Sequence, residues 1–152
     1  MPQYFFDTSA LVKYYHEETG SNRIKALFSS PHFSAKISAL GVLEAQSAFA
    51  MKARSGKLAL IGAELLKARF MLDVSAGLIE TFTVTGHHFI EAGRLLDRFG
   101  LSYRLRSLDA LQLAVADDLR SQRLVDFVVA ADSVLLEVGA LMGMRVINAN
   151  AE

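Results

Sequence analysis

Tyr4-Phe5-Phe6-Asp7-Thr8-Ser9-Ala10-Leu11 is the stretch on which the reading of this chain turns. Three consecutive aromatics have the length and character of a short buried strand. The run stops on a carboxylate, and a helical pattern starts at once. This order places Asp7, Thr8 and Ser9 at the carboxyl end of a strand, beside a helix N-terminus. In open parallel α/β sheets, that edge is where ligands bind. Helix capping accounts for the same residues equally well, because Asp, Thr and Ser are preferred N-caps. The choice depends on whether other acids converge on the same edge.

Working outward, the strand–acid–helix pattern recurs. The sequence predicts strands at 4–6, 32–35, 79–84, 127–130 and 145–147. Between them it predicts helices over 10–15, 22–28, 39–54, 58–72, 86–99, 108–122 and 133–142. Ser21, Ser38, Thr85 and Ser107 are the expected N-caps, and Gly56 is the expected residue just past a helix end. The short connection around Gly56 makes 38–72 a helical hairpin, with Leu65, Leu66, Phe70 and Leu72 as its expected apolar face. Strands separated by helices imply a three-layer α/β domain, with a mostly parallel sheet between helical layers.

Composition narrows the class further. At 152 residues the chain fits one domain, 1–152, with no linker or repeat. There is no cysteine, which excludes disulfides and thiolate metal sites and suits a reducing, cytoplasmic setting. Met1-Pro2-Gln3 lacks the basic start of a signal peptide, and charged residues interrupt every long apolar run, so no membrane association is expected. Formal net charge is zero, so nucleic acid must be gripped through local contacts rather than a broad basic face.

Four acids stand in apolar company. Glu44 is the only charged residue from Ile37 to Met51, with Leu40, Gly41, Ser47 and Ala48 one turn away. A carboxylate there is expected to be partly buried, and a cation or a proton should accompany it. Asp109 is the only charge from Ser107 to Ala116. Its place in a first helical turn is also favourable for the helix dipole alone. Asp132 follows Phe127-Val128-Val129-Ala130-Ala131 and precedes a helix, as Asp7 does. Capping again explains it individually. If all four converge, something positive must offset their repulsion. Oxygen ligands without His or Cys select Mg2+ or Mn2+. His87 and His88 are adjacent and diverge on a helix, so they do not chelate, and His16 and His32 show no pairing pattern.

At this point the chain resembles PIN-domain nucleases, in particular the VapC-type toxins of toxin–antitoxin modules. The resemblance runs through Phe6-Asp7-Thr8-Ser9-Ala10-Leu11-Val12-Lys13, Glu18-Thr19-Gly20-Ser21, Ser38 through Glu44, and Phe127 through Asp132. The most specific match is Leu105-Arg106-Ser107-Leu108-Asp109-Ala110-Leu111-Gln112-Leu113-Ala114. Many relatives carry a hydroxyl two residues before the fourth acid, where this chain has Ala130. The resemblance implies an Mg2+- or Mn2+-dependent endoribonuclease with catalytic Asp7, Glu44, Asp109 and Asp132. Asp7, Asp109 and Asp132 would hold metal. Ser9 would hold a metal-bound water or a ligand carboxylate, and Lys13, Arg104 and Arg106, by their nearness to the acids along the chain, are the candidate contacts to RNA phosphates. It also implies a homodimer silenced by a small antitoxin protein.

Three other classes compete, among them a haloacid-dehalogenase-like phosphatase, which would want a second Asp two residues after the first, where this chain has Ser9. A phospho-receiver module would want an adjacent acidic pair near the N-terminus, which is missing here. A PIN-like domain that only binds partners would not need all four acids.

Overall fold

The chain was analysed as a computed structural model, which describes residues 1–151. Strand β1 (Tyr4–Phe6) lies at the centre of a parallel sheet in the order β3-β2-β1-β4-β5. The other strands are β2 (Ala35–Ser38), β3 (Ile79–Phe82), β4 (Phe127–Ala130) and β5 (Arg145–Asn148). The helices are α1 (Thr8–Tyr15), α2 (Ser21–Phe28), α3 (Ala39–Arg54), α4 (Leu60–Ser75), α5 (Gly86–Phe99), α6 (Ser107–Ser121) and α7 (Ser133–Leu141).

Successive strand residues point to opposite faces. Phe5 therefore joins a core with α5, α6 and α7, whereas Phe6 joins a second core with α1, α2, α3 and α4. Both rings are essentially inaccessible to water. The expected three-layer α/β sandwich is present.

The strand order also locates a crevice. From β1 the chain steps through β2 to β3, then returns to lay β4 on the other side of β1 and steps outward to β5. The direction reverses between β1 and β4. Beyond the carboxyl ends of two such strands the connecting segments diverge and leave an opening.

Several boundaries differ from the sequence expectation, each for a local reason. Helix α1 starts at Thr8, because Asp7 itself is the N-cap and accepts from the Ser9 N–H at 3.1 Å. Helix α2 is preceded by Gly20 rather than capped by Ser21. Gly20 has φ of 90°, and a Cβ there would stand 2.3 Å from the Ala149 carbonyl oxygen. The Ser21 hydroxyl accepts instead from the Glu18 N–H, at 2.9 Å. Strand β2 occupies 35–38, not 32–35, because the turn after Pro31 extends through His32, whose φ is 59°. The N-cap position of α6 is Arg106, with Ser107 already helical. The hairpin closes as expected at Gly56: the Lys57 N–H reaches the Lys52 carbonyl at 3.0 Å, and the Gly56 N–H reaches Ala53 at 3.1 Å. This pairing satisfies carbonyls that α3 would otherwise leave open.

Candidate active site

The strand–acid–helix segments meet at the crevice. The Asp7 N–H donates to the Val129 carbonyl at 2.9 Å, which ties the end of β1 to β4. The Asp7 carboxylate accepts from the Ser9 hydroxyl at 2.5 Å, and the same hydroxyl accepts from the Ala131 N–H at 2.9 Å. Ser9 therefore joins the two strand ends just below the acids. The Ala131 amide is thus satisfied from across the crevice, although residue 130 has no hydroxyl.

Asp132 caps α7 by accepting from the Leu135 N–H at 2.9 Å. Asp109 sits in the first turn of α6 and accepts from the Arg106 backbone N–H at 3.3 Å. Both arrangements set a carboxylate against a helix N-terminus, where the backbone dipole favours negative charge. Capping and site formation are therefore not alternatives here: the same geometry does both. Glu44 projects from the second turn of α3 and accepts from the Gln112 side-chain amide at 2.7 Å.

Asp7 and Asp109 are buried, and Glu44 and Asp132 are half-buried. Burial raises the pKa of Asp7 above the ordinary carboxylate range, against the Ser9 hydrogen bonds, and the nearby Asp109 and Asp132 charges push it the same way. Burial likewise raises the pKa of Glu44, against the Gln112 hydrogen bond, with Asp7 and Asp109 adding to the rise. Asp7 thus senses Asp109 and Asp132 across the crevice, and Glu44 senses Asp7 and Asp109.

Arg106 lies among them. Its Nε is 3.2 Å from Asp109, and one terminal nitrogen is 3.6 Å from Asp132. Its side chain is 75% exposed, so these contacts are weak tethers of about 0–1 kcal/mol. Among the described residues, no three His, Cys, Asp or Glu side chains stand close enough together to hold a metal ion. The donor chemistry, carboxylate oxygen throughout, nevertheless suits a hard divalent cation. The Arg106 guanidinium lies beside both the Asp109 and the Asp132 carboxylates.

Arg104 is exposed on the same loop. Lys13 is not available for RNA phosphate. It is buried, and its ammonium donates to Glu18 at 3.1 Å and to the Thr19 carbonyl at 2.8 Å. Lys52 reaches the same Glu18 at 2.6 Å. This cluster ties α1, the turn after it and α3 together. Burial opposes the charge on Glu18, but the two ammoniums prevail and hold its pKa below the usual value. His88 is also structural: one ring nitrogen accepts from the Thr85 N–H at 3.0 Å, and the other faces Asp118 at 2.7 Å.

One member of the site escaped the sequence reading. Gln112 is 1% exposed and bridges Ser38 and Glu44. The available signal was an amide in the otherwise apolar run from Ala110 to Ala116.

No curated protein matches the chain significantly in sequence. Solved structures do match in shape. VapC20 of Mycobacterium tuberculosis, described as a Sarcin–Ricin loop-cleaving toxin, is 18% identical over 96% of this chain and 99% of its own, with a TM-score of 0.69. FitAcB from Neisseria gonorrhoeae is 14% identical over 97% and 98%, with a TM-score of 0.69. DNA-bound VapBC from Salmonella typhimurium is 17% identical over 98% and 99%, with a TM-score of 0.62. At these identities the likeness is one of fold. A sequence model of the PIN domain matches residues 4–141, a span that includes all four acids and every strand except β5. With the acids lining the β1–β4 crevice of that fold, the chain belongs to the PIN domain family.

Proposed function

We propose that the chain is a divalent-metal-dependent endoribonuclease and the toxin half of a toxin–antitoxin pair. The observation that carries this reading is the convergence of Asp7, Glu44, Asp109 and Asp132, from four separate elements, on one crevice where their charges oppose one another. Such a cluster is unfavourable unless a cation or proton offsets it, and a fold that maintains it does so for binding. Asp7, Asp109 and Asp132 would hold the ion, with Mg2+ or Mn2+ matching the oxygen donors. A bound divalent ion lowers the pKa of water and offsets charge on a phosphodiester under attack.

The chain supplies the rest. Ser9 holds Asp7 in one orientation, and helix N-termini hold Asp109 and Asp132. Glu44 presents a carboxylate that would either join the ligands of the ion or orient an attacking water. Arg106 offsets charge on Asp109 and Asp132, and its exposed stem would also let it reach an RNA phosphate. Arg104 offers a second phosphate contact. With zero net charge, these local contacts have to suffice.

The partner reading rests on the hairpin. Leu43, Leu60, Ile61, Leu65 and Leu72 are exposed on α3 and α4, a surface suited to an antitoxin segment or a second copy of the chain. The complexes represented among the structural relatives are in keeping with this, including one described as a toxin–antitoxin complex from Klebsiella pneumoniae. Among the described residues no helix is long and apolar enough to cross a membrane.

The test is cleavage of single-stranded RNA by the purified chain with Mg2+ or Mn2+, then with EDTA. Cleavage lost on chelation supports the reading. An intact chain that binds an antitoxin but cleaves nothing would favour a silent binding domain, with Arg106 as a permanent occupant of the cluster. Growth arrest on expression, relieved by the neighbouring reading frame, tests the toxin role separately.

A further inference from the structure

Between α3 and α6 a chain of hydrogen bonds runs in one direction and ends on Glu44. The Gly41 N–H donates to the Ser38 hydroxyl at 3.2 Å. That hydroxyl donates to Gln112 Oε1 at 2.7 Å, and Gln112 Nε2 donates to Glu44 Oε1 at 2.7 Å. The direction is imposed by chemistry. An ionised carboxylate only accepts, so the amide must turn its nitrogen to Glu44 and its oxygen to Ser38. Ser38 must then give its single proton to the amide. Donor dipoles aligned in this way reinforce one another and favour the anion at the end.

The location is unusual for an amide. Ser38 is 0% and Gln112 1% exposed, and Gln112 lies between buried Leu111 and Leu113. Packing alone asks for another apolar residue there, because burying an amide is favourable only when its bonds are met. Gly41 lies close beside the amide: a Cβ there would stand in ordinary contact, 3.4 Å from Ile37 and 3.8 Å from Gln112 Nε2. The bond occupies Glu44 Oε1, and among the described residues Oε2 has no hydrogen-bond partner.

We propose that Gln112, supported by Ser38, is a positioning residue that holds Glu44 by one oxygen so that the other addresses the reaction site in a single orientation. This rests on the nuclease reading and specifies how one of its four acids is set. Partners behind the groups that contact a metal commonly contribute 10–100-fold. The role is thus separable from that of the acids themselves.

The test uses Gln112→Met, which keeps the length without the donor, and Gln112→His, which restores an N–H at similar reach. Cleavage of a single-stranded RNA and calorimetric Mn2+ affinity are measured for both, for Ser38→Ala and for Glu44→Gln. Gln112→Met should lower kcat about 10–100-fold with KM unchanged, and weaken Mn2+ by up to about tenfold. Gln112→His should recover most of both, and Ser38→Ala should show a smaller loss of the same kind. Adding Gln112→Met to Glu44→Gln should cost nothing further, because the two residues act as one unit. An active parent whose Gln112→Met variant keeps parental kcat and Mn2+ affinity overturns the positioning role alone. So do additive losses in the double variant. If Gln112→Met does not fold, Ser38→Ala decides, and parental kcat there also overturns it. A folded parent that neither binds Mn2+ nor cleaves RNA overturns the nuclease reading, and this role with it.

Discussion

Helices α4 and α6 are close in length and similarly rich in leucine and alanine, yet they meet opposite fates. Ala110, Leu113, Val115 and Ala116 of α6 are fully buried, whereas in α4 only Phe70 is, and Leu60, Leu65 and Leu72 are 63–77% exposed. Helix α6 packs on the sheet face between α5 and α7, inside the core that contains Phe5. Helix α4 leans on α3 near the sheet edge formed by β3. An acid carried by α6 is therefore buried, and apolar residues carried by α4 stay exposed. Apolar content shows that a helix has something to cover, but not whether this chain covers it.

The sharpest way to break this comparison is through the acid on α6. Asp109→Asn should reduce divalent-dependent RNA cleavage by more than about a hundredfold, the upper end for outer partners, with little change in Tm. Full cleavage by this variant would remove α6 from the site. Leu65→Asp on α4 should leave cleavage by the isolated chain intact while weakening its self-association or antitoxin binding, measured by light scattering and by calorimetry.

Stability offers a second contrast. Leu113→Ala should cost about 2–5 kcal/mol by denaturant titration, as for other enclosed leucines. Leu65→Ala should stay within about 0.5 kcal/mol of the parent, as at other exposed positions. Equal losses would mean that the α4 surface is covered within the folded chain.

The Glu18 cluster ties α1 to α3 and gives a smaller effect. Glu18→Gln leaves Lys13 and Lys52 without their carboxylate and should cost about 1–3 kcal/mol at neutral pH, the range for losing a charged hydrogen bond. The Glu18 pKa is lowered on folding, so its stabilisation is complete above the ordinary Glu value of 4.5. It is lost as pH falls through the folded value. The gap between parent and variant should therefore close in acid, and a constant gap would assign the loss to packing.

The smallest effect has the opposite sign. Glu44 has its pKa raised on folding, so the folded chain binds a proton there more readily than the unfolded chain. Its contribution is most favourable below 4.5 and declines as pH rises through the folded value. Glu44→Gln should therefore raise the metal-free Tm by a degree or two at neutral pH, on the order of 0.5 kcal/mol, and the gain should vanish in acid. Mn2+ should stabilise the parent more than the variant. A lower Tm for Glu44→Gln at neutral pH would make Glu44 a structural partner.

The sequence by itself determined the alternation of strands and helices, the carboxyl-edge position of Asp7 and Asp132, and the isolation of Glu44 and Asp109. All of these are local: an aromatic or valine run, a carboxylate at its end, a charge without charged neighbours. The Ser38 cap and the Gly56 turn were legible for the same reason, because their partners lie a few residues away. The partners of Lys13 were not legible, because nearness in sequence to Asp7 says nothing of its bond to Glu18 or of Lys52 arriving from α3. Gln112 was missed because its partners, Ser38 and Glu44, lie 74 and 68 residues away. The reversal of strand order between β1 and β4, the insertion of Arg106 among the acids and the different fates of α4 and α6 were likewise decided only by the tertiary structure. Each depends on which surfaces meet when the layers close, and that is a property of the packed chain rather than of any segment.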